Sequence, residues 1–261
     1  MADTSTITYV MGVVSGKTGI VASTFLFLFL VERLYPAELQ LNDMARLLKN
    51  AALAIINAML SPLVTIPLSM AASGWAWPWR PEWLAGSGGM IFDMVLLDAW
   101  IYVWHRANHQ LPFLWRFHEV HHLDETLDTT TAVRFHFGEV LLSSLARTAV
   151  IVALAVPLTS VIVFETCLVL ATLFHHSNLR LSAKVEAALA RVIVTPSIHW
   201  VHHHARQSDT DSNYATILSL WDRLFASAST TCRTPEMKLG VEGAHDAPFP
   251  QLVIRPFKRP A

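Results

Sequence analysis

The sequence predicts an all-α fold: an integral-membrane helical bundle of about four membrane-embedded helices, a further re-entrant or hairpin arm, and a histidine-rich cap. Three observations predict this class. Of the 261 residues, 53% are hydrophobic and 15% are charged, and the mean hydropathy of +0.40 is unusual for a soluble globular protein. The apolar residues form long runs without the polar stripe of a helix in a soluble core. Twelve of the 13 histidines lie between positions 105 and 204. We expect one membrane-embedded domain over 1–261, with a Pro-rich cytoplasmic tail over 227–261.

Five apolar segments are the candidates for membrane-embedded helices, at roughly 18–34, 50–72, 90–104, 138–156 and 159–174. A helix needs about 20 apolar residues to cross the hydrocarbon core, so the two short segments are expected to continue as helix beyond it. Pro157 separates the last two segments, which are predicted to form the hairpin. The first segment is interpreted as a retained membrane helix, because no Lys or Arg precedes Lys17 and Glu32-Arg33 follows in place of a small-residue cleavage site.

The distribution of basic residues predicts the orientation. If 36–49 is cytoplasmic and 73–89 faces the other side, then 105–137 and the chain from 175 onward are cytoplasmic as well. Sixteen of the 19 Lys and Arg residues then lie on the cytoplasmic side and two on the outer side, as the positive-inside rule expects. The Trp-rich stretch 75–83 falls on the outer side, where interfacial aromatic residues are common.

The remaining basic residue, Arg147, falls inside an apolar segment. A charge at that depth is costly unless it is paired or hydrated. Glu165 lies on the returning arm of the predicted hairpin, at a depth that matches. We therefore expect Arg147 and Glu165 to be in contact.

Histidines recur in three groups with helical spacing, so the imidazoles of each group share one helix face. The groups are His105 and His109; His118, His121 and His122; and His199, His202 and His203. Neutral imidazole is a ligand for zinc, iron, copper and nickel. A structural zinc ion takes four ligands, so eight to ten ring nitrogens are too many for one ion and fit two. The predicted topology, which was derived without the histidines, brings all three groups to the cytoplasmic face, and the cap is therefore predicted to hold two metal ions.

Two further polar residues fall on the stripe of the first histidine group. Asp98, Tyr102, His105 and His109 are spaced by four, three and four residues. A carboxylate inside a membrane segment needs a reason to be there. Asp98 is expected to accept an N–H from a ligand histidine, with Tyr102 as a further neighbour of the ligands. The alternative is that Asp98 is a polar residue that caps a contact between helices.

The stretch 98-DAWIYVWHRANHQLPFLWRFHEVHHLDETLDTTTAVRFH-136, then 176-HSNLRL-181 and 199-HWVHHHARQSDTDSNYATILSLWDRLF-225, resembles the fatty acid hydroxylase/sterol desaturase superfamily. The pattern of that family is HxxxH, HxxHH and HxxHH, followed by an asparagine-tyrosine pair and a WDRLF-like segment. The resemblance covers roughly 93–226. It implies an integral-membrane, di-iron oxidoreductase that uses O₂ as co-substrate.

The resemblance also implies which histidines bind the metal. The eight histidines of the three groups are the implied ligands, and His176, which precedes Ser-Asn as in the family, is a ninth. His136 matches a family position that is either a ligand or a neighbour of one. His175 is expected to pack or to hydrogen-bond, and His245 to be solvated. The family often has Ser where His204 stands, so His204 is not expected to be a ligand.

The expected reaction is hydroxylation of a C–H bond in a membrane lipid, whether acyl, alkyl or sterol, and a desaturase on the same centre is the alternative. The chain carries no glycine-rich nucleotide motif, so electrons are expected from an external reductase, ferredoxin or cytochrome. A net charge of −1 gives no indication of nucleic-acid binding. Purified protein could carry zinc in place of iron. A membrane metal-binding or metal-transport protein is the alternative of another class, and it would place its ligands along a path near the midplane.

Overall fold

In the computed structural model, residues 4–39, 43–75 and 79–258 are described, without the side chains of 4–11, 13 and 14. Within these ranges the fold is all-α, with isolated bridges in place of strands, as the sequence predicts. The long helices are α1 (Thr4–Leu34), α2 (Met44–Leu60), α3 (Ile66–Gly74), α4 (Gly86–Gln110), α5 (Pro112–His122), α6 (Phe137–Leu154) and α7 (Leu158–His176). The short helices are α8 (Ala183–Leu189), α9 (Pro196–His202), α10 (Gln207–Thr210), α11 (Leu220–Leu224) and α12 (Phe249–Ile254).

Four helical segments are long and apolar enough to cross a membrane. They are Met44–Gly74, Gly86–Gln110, Phe137–Leu154 and Leu158–His176. The first of them joins α2 and α3 through one π-helical turn, Ser61–Thr65. Three of the five expected apolar segments lie within these helices, and a fourth, 138–156, runs two residues past Leu154 into the turn before α7. The fifth, 18–34, lies within α1. The prediction of an integral-membrane helical bundle is therefore confirmed.

The membrane helices pack around an apolar core. At the end opposite to the histidines, an ion pair and a hydrogen bond also connect them. Leu97, Ile101, Ile151 and Phe164 pack in one buried cluster between α4, α6 and α7. Arg80 donates two 3.0 Å hydrogen bonds to the buried Asp93, which also accepts one from Ser160 at 2.6 Å. Of the Trp-rich stretch, residues 76–78 lie outside the described residues.

The expected pair on the hairpin is present. Helices α6 and α7 are joined by residues 155–157, and Arg147 Nη1 lies 3.5 Å from Glu165 Oε1. Lys17 of α1 donates to the other oxygen of the same carboxylate at 2.8 Å. The contact between Arg147 and Glu165 is confirmed, with Lys17 as a third member that the sequence did not indicate.

A histidine-rich cap covers the other end of the bundle. Buried ionic groups fix it to α2, since Arg46 binds both oxygens of Asp124 at 2.6 and 2.9 Å and also contacts Asp128 at 2.9 Å. The expected tail folds onto the cap as far as residue 258. Leu252 of α12 is fully buried in a cluster with Leu53, Val120 and Leu123.

Candidate metal centre

Four helices carry the candidate ligands to one place. α4 ends at Gln110, and Pro112 stands in the first turn of α5, where its fixed φ suits a helix start, so the chain reverses within two residues. α9 begins in the same way at Pro196. The C-terminal turns of α4, α5, α7 and α9 converge, because their histidines lie together in the structure. Each of these four turns carries candidate ligand histidines.

Nine histidines form two compact groups that could each hold a metal ion. The first group is His105, His109, His118, His122 and His202, and the second is His121, His176, His199 and His203. Within each group, one ring nitrogen per residue lies within 4.8 Å of the others. His105 and His109 belong to the same group, whereas the other two motifs are divided, so that His118 and His122 face one centre and His121 the other.

The remaining histidines lie outside these groups. His136 is predicted to be a metal ligand or a neighbour of one. In the structure it is not available as a ligand, because both its ring nitrogens make hydrogen bonds to the backbone. Its Nδ1 accepts from Gly138 N at 2.9 Å as the N-cap of α6, and its Nε2 donates to Val253 O at 3.0 Å. His175 donates to Thr216 O, His204 contacts Asp209, and the side chain of His245 is 91% exposed.

Hydrogen bonds fix the tautomer of five of the nine rings. In each ring Nδ1 faces an oxygen that can only accept, so Nδ1 must carry the proton and the lone pair of the neutral ring is on Nε2. His105, His118, His121, His176 and His202 donate respectively to Tyr214 O at 2.7 Å, Glu139 Oε1 at 2.8 Å, Arg134 O at 3.3 Å, Thr172 O at 2.8 Å and Ser212 O at 2.6 Å.

The Nε2 atoms of these rings point at one another. His105 Nε2 lies 3.2 Å from the Nε2 of both His118 and His202, and His121 Nε2 lies 3.0 Å from that of His176. Two lone pairs at this distance cannot hydrogen-bond, because neither atom carries a proton. The arrangement is repulsive without a cation between the rings. The donor set therefore fits a metal ion in each group.

Two members of the first group make no hydrogen bond within the described residues, although His109 Nδ1 lies 3.6 Å from Asp211 Oδ1. His109 and His122 are buried at both ring nitrogens, and neither nitrogen finds a hydrogen-bond partner among the described residues. A buried polar atom left without a partner costs about 1–3 kcal/mol. Such a cost is relieved if the nitrogens are ligands, which is the simplest account of these rings.

The electrostatic surroundings keep the rings neutral. Burial lowers the pKa of His121, His122, His199, His202 and His203 well below the usual 6.5, and the neighbouring imidazoles lower it further. Because a histidine must be neutral to coordinate a metal, these rings are ready to bind at neutral pH.

Glu139 is the residue that the sequence analysis missed. It stands in the first turn of α6, is buried, and accepts the Nδ1–H of His118. The available signal was an acidic side chain at the start of an apolar span, three residues after His136. Such a carboxylate orients a ligand ring and raises its basicity.

The prediction for Asp98 needs correction. Its Oδ2 accepts from Trp221 Nε1 at 2.7 Å and from Leu218 N at 3.0 Å rather than from a histidine. The alternative interpretation, a polar residue that caps a contact between elements, is the better description. Tyr102 likewise hydrogen-bonds Ser227 at 2.9 Å and packs edge-on against Tyr214.

The WDRLF segment stabilises the turn at residues 213–215, which supplies the hydrogen-bond acceptor of His105. Asp222 accepts from Tyr214 N at 2.8 Å and from Ala215 N at 3.0 Å. These bonds fix the backbone whose carbonyl, Tyr214 O, receives the Nδ1–H of His105. Asn213, just before it, has φ 53°, a left-handed conformation that Asn tolerates better than most residues.

A mostly apolar cavity of about 430 Å³ adjoins both histidine groups. His105 and His118 of the first group and His121, His176 and His199 of the second line one end of it. Apolar side chains from α4, α6 and α7 form the walls, among them Ile101, Trp104, Val140, Leu168 and Val169. Arg147 also lines the cavity. The site is thus a set of metal-binding histidines that faces a space suited to an apolar chain.

Comparison with known proteins identifies a matching family. The family model described as "Fatty acid hydroxylase" matches residues 90–227. The chain is 24% identical over 248 residues to an ornithine lipid hydroxylase of Rhizobium tropici, covering 91% of this chain and 74% of that protein. Two alkylglycerol monooxygenases, of Danio rerio and Caenorhabditis elegans, are 33% and 29% identical over 58% and 57% of this chain.

The coverage of these relatives is uneven. This chain spans about three-quarters of the ornithine lipid hydroxylase. It spans only 30% and 27% of the two alkylglycerol monooxygenases. No solved structure matches the chain.

Proposed function

Because the chain belongs to the fatty acid hydroxylase family, we propose that it is an oxygen-dependent membrane enzyme that hydroxylates a C–H bond of a lipid at a pair of histidine-bound iron ions. The names of its relatives, a lipid hydroxylase and monooxygenases of alkylglycerols, support a lipid substrate. One observation carries the proposal. The unprotonated nitrogens of two histidine groups converge at one end of an apolar cavity.

Two ions would be held by the two groups, five rings for one ion and four for the other. The ligands of the first would be His105, His109, His118, His122 and His202, and those of the second His121, His176, His199 and His203. Iron held in this way would supply the activation of dioxygen that hydroxylation of an unactivated C–H bond requires. The same nitrogens also suit zinc, which would bind without supplying redox chemistry.

The chain's own contribution is orientation. The carbonyls of Tyr214, Ser212 and Thr172 and the carboxylate of Glu139 each hold one imidazole with Nε2 turned to the centre. Rings held by such bonds are arranged before the metal arrives, so little ordering is required on binding.

The cavity would hold the substrate chain and keep water away from it. Its lining beyond the histidines is mostly aliphatic and aromatic, and it runs between helices that are long enough to cross a membrane. An acyl or alkyl chain that enters from the bilayer stays in apolar surroundings and brings its carbon atoms against the histidine end. Electrons would come from a separate reductase, ferredoxin or cytochrome.

The test is isotopic and uses lipid extracts. Cells that contain the protein, an iron supply and their own electron donors should yield a lipid 16 mass units heavier than its precursor, and the added oxygen should come from ¹⁸O₂. His121→Ala should abolish the product, whereas His245→Ala, at an exposed site, should not. Product formation by His121→Ala, or without oxygen, would refute the proposal. Loss of two mass units alone would identify a desaturase.

We place the metal centre on the cytoplasmic face, because of the sixteen-to-two division of basic residues. In a cysteine-free background, a single cysteine in place of Lys184 or Glu236 should react with an impermeant maleimide only in inside-out vesicles. One in place of Glu82 should react only in right-side-out vesicles. Reaction of Lys184 and Glu82 replacements from the same side would contradict this orientation.

A further inference from the structure

We propose that Arg147 and Ser143 form a subsite that binds an anionic oxygen group of the substrate, at the end of the cavity away from the histidines. This inference rests on the proposed function, which it deepens by naming the substrate class: a lipid with a carboxylate or phosphate that can enter this cavity.

Arg147 carries a charge that the protein does not fully balance. Its 3.5 Å contact with Glu165 is the one ion pair it makes within the described residues, and it is longer than an ordinary hydrogen bond. The same carboxylate is bound more closely by Lys17, at 2.8 Å. Two cations therefore share one anion inside the helical bundle. The excess of one positive charge is costly there unless another anion approaches.

The guanidinium is placed to meet a ligand. Arg147 lines the cavity, and so does Ser143, which lies one turn earlier on the same face of α6. The side chain of Arg147 is only 12% exposed. A guanidinium offers five N–H donors and a serine one O–H, a set that suits the oxygens of a carboxylate or a phosphate.

The position of the subsite also fixes a distance. Glu139, which holds a ligand histidine, and Arg147 are eight residues apart on α6, about 12 Å along the helix axis. An anion at Arg147 therefore leaves an apolar chain to cross the rest of the cavity. The carbon presented to the histidines would be remote from the anionic group.

Binding can be tested without turnover or metal. The probe is [1-¹³C]palmitic acid, added to the purified full-length protein in a non-ionic detergent and followed by carbon NMR across pH. A carboxylate next to Arg147 should give a bound signal that stays ionised to lower pH than palmitate in micelles, because the cation favours its charged form. Arg147→Gln should weaken binding about ten- to a hundredfold and remove this difference.

Three controls make the result specific. Arg147→Lys should keep the bound signal, since the charge remains. Arg191→Gln, which changes an exposed arginine of the cap, should bind like the unaltered protein. Folding of Arg147→Gln is protected because Lys17 still pairs with Glu165, and its elution profile should match the unaltered protein.

Competitors distinguish the sources of the anion. Stronger displacement of the probe by lysophosphatidic acid than by unlabelled palmitate would support a phosphate, and the reverse a carboxylate. Equal displacement by hexadecanol, which has no charge, would overturn the inference. If Arg147→Gln binds palmitate normally while ¹⁸O still enters a lipid, only this inference is wrong. If binding depends on Arg147 but no ¹⁸O enters a lipid, the proposed function is the one that fails.

Discussion

His105 and His118 face each other through unprotonated Nε2 atoms 3.2 Å apart, while each ring donates its Nδ1–H in the opposite direction, to Tyr214 O and to Glu139. The two rings are thus held in a contact that is unfavourable by itself. Folding can maintain such a contact only if other bonds enforce it. The bonds behind the rings do so, and they prepare the site for a cation.

Glu139→Gln should weaken metal binding about 10–100-fold, because the carboxylate that orients His118 and raises its basicity is lost. Competition with a chelator of known affinity measures this change. The matched control is Glu125→Gln, whose carboxylate bonds the exposed His245. Equal metal affinity in the Glu139→Gln and Glu125→Gln proteins would show that Glu139 does not support the centre.

Asp98→Ala should act on stability and leave the metal sites able to fill. It removes the acceptor of the Trp221 indole and of Leu218 N, and a buried donor without a partner costs about 1–3 kcal/mol. Asp98→Asn, which keeps one acceptor oxygen, should be milder. Thermal unfolding in detergent and metal content at saturation measure the two effects. Normal thermal stability with lost metal would restore the first interpretation, in which Asp98 serves a ligand.

Acid should destabilise the metal-free protein over a defined range. The unfolded chain protonates its histidines near pH 6.5, whereas burial keeps the pKa of rings such as His202 and His203 lower in the folded chain. Below pH 6.5 the unfolded state binds more protons, so stability falls by up to about 1.4 kcal/mol per pH unit for each such ring.

Unfolding temperatures of the metal-free protein between pH 7.5 and 5.5 test this sign. The fall should be smaller in His202→Ala, which removes one buried ring. It should be unchanged in His245→Ala, since that ring is exposed. An unfolding temperature that stays constant across the interval would contradict the neutral, buried state of the cluster.

The spacing of three and four residues is a local property of a helix, so the sequence indicates which histidines come together. It does not predict how the rings divide, since His118 and His121 are expected on one face and lie in different groups. Sequence analysis fails where the hydrogen-bond partner of a side chain is distant in the chain. It also fails where two residues on one helix face lie too far apart along the helix axis to share a partner. Asp98 shares the stripe of His105 but lies seven residues away, about 10 Å along α4, and its partner Trp221 comes from another part of the chain.

His136 and Glu139 illustrate a further limit, which is that residue type alone does not determine the role of a side chain. Both stand at the start of α6, next to the histidine groups. Their residue types suggest that the histidine is the ligand and the carboxylate the helix cap. In the structure, the histidine is used as a helix cap and the carboxylate supports a ligand. The His136 ring is oriented by contacts with Phe117 and Val253, and Glu139 by its hydrogen bond with His118, and these partners lie far from α6 in the sequence.

The most direct test is the number of metal ions that the purified chain binds. After anaerobic reconstitution with ferrous iron and removal of loose metal, elemental analysis should give two ions per chain. His136→Ala, which removes a helix cap, a contact to Val253 and packing against Phe117 but no ligand of either group, should also retain two, whereas His202→Ala and His121→Ala should each hold fewer. One ion per chain, or none, in the unaltered protein would contradict the two-centre account.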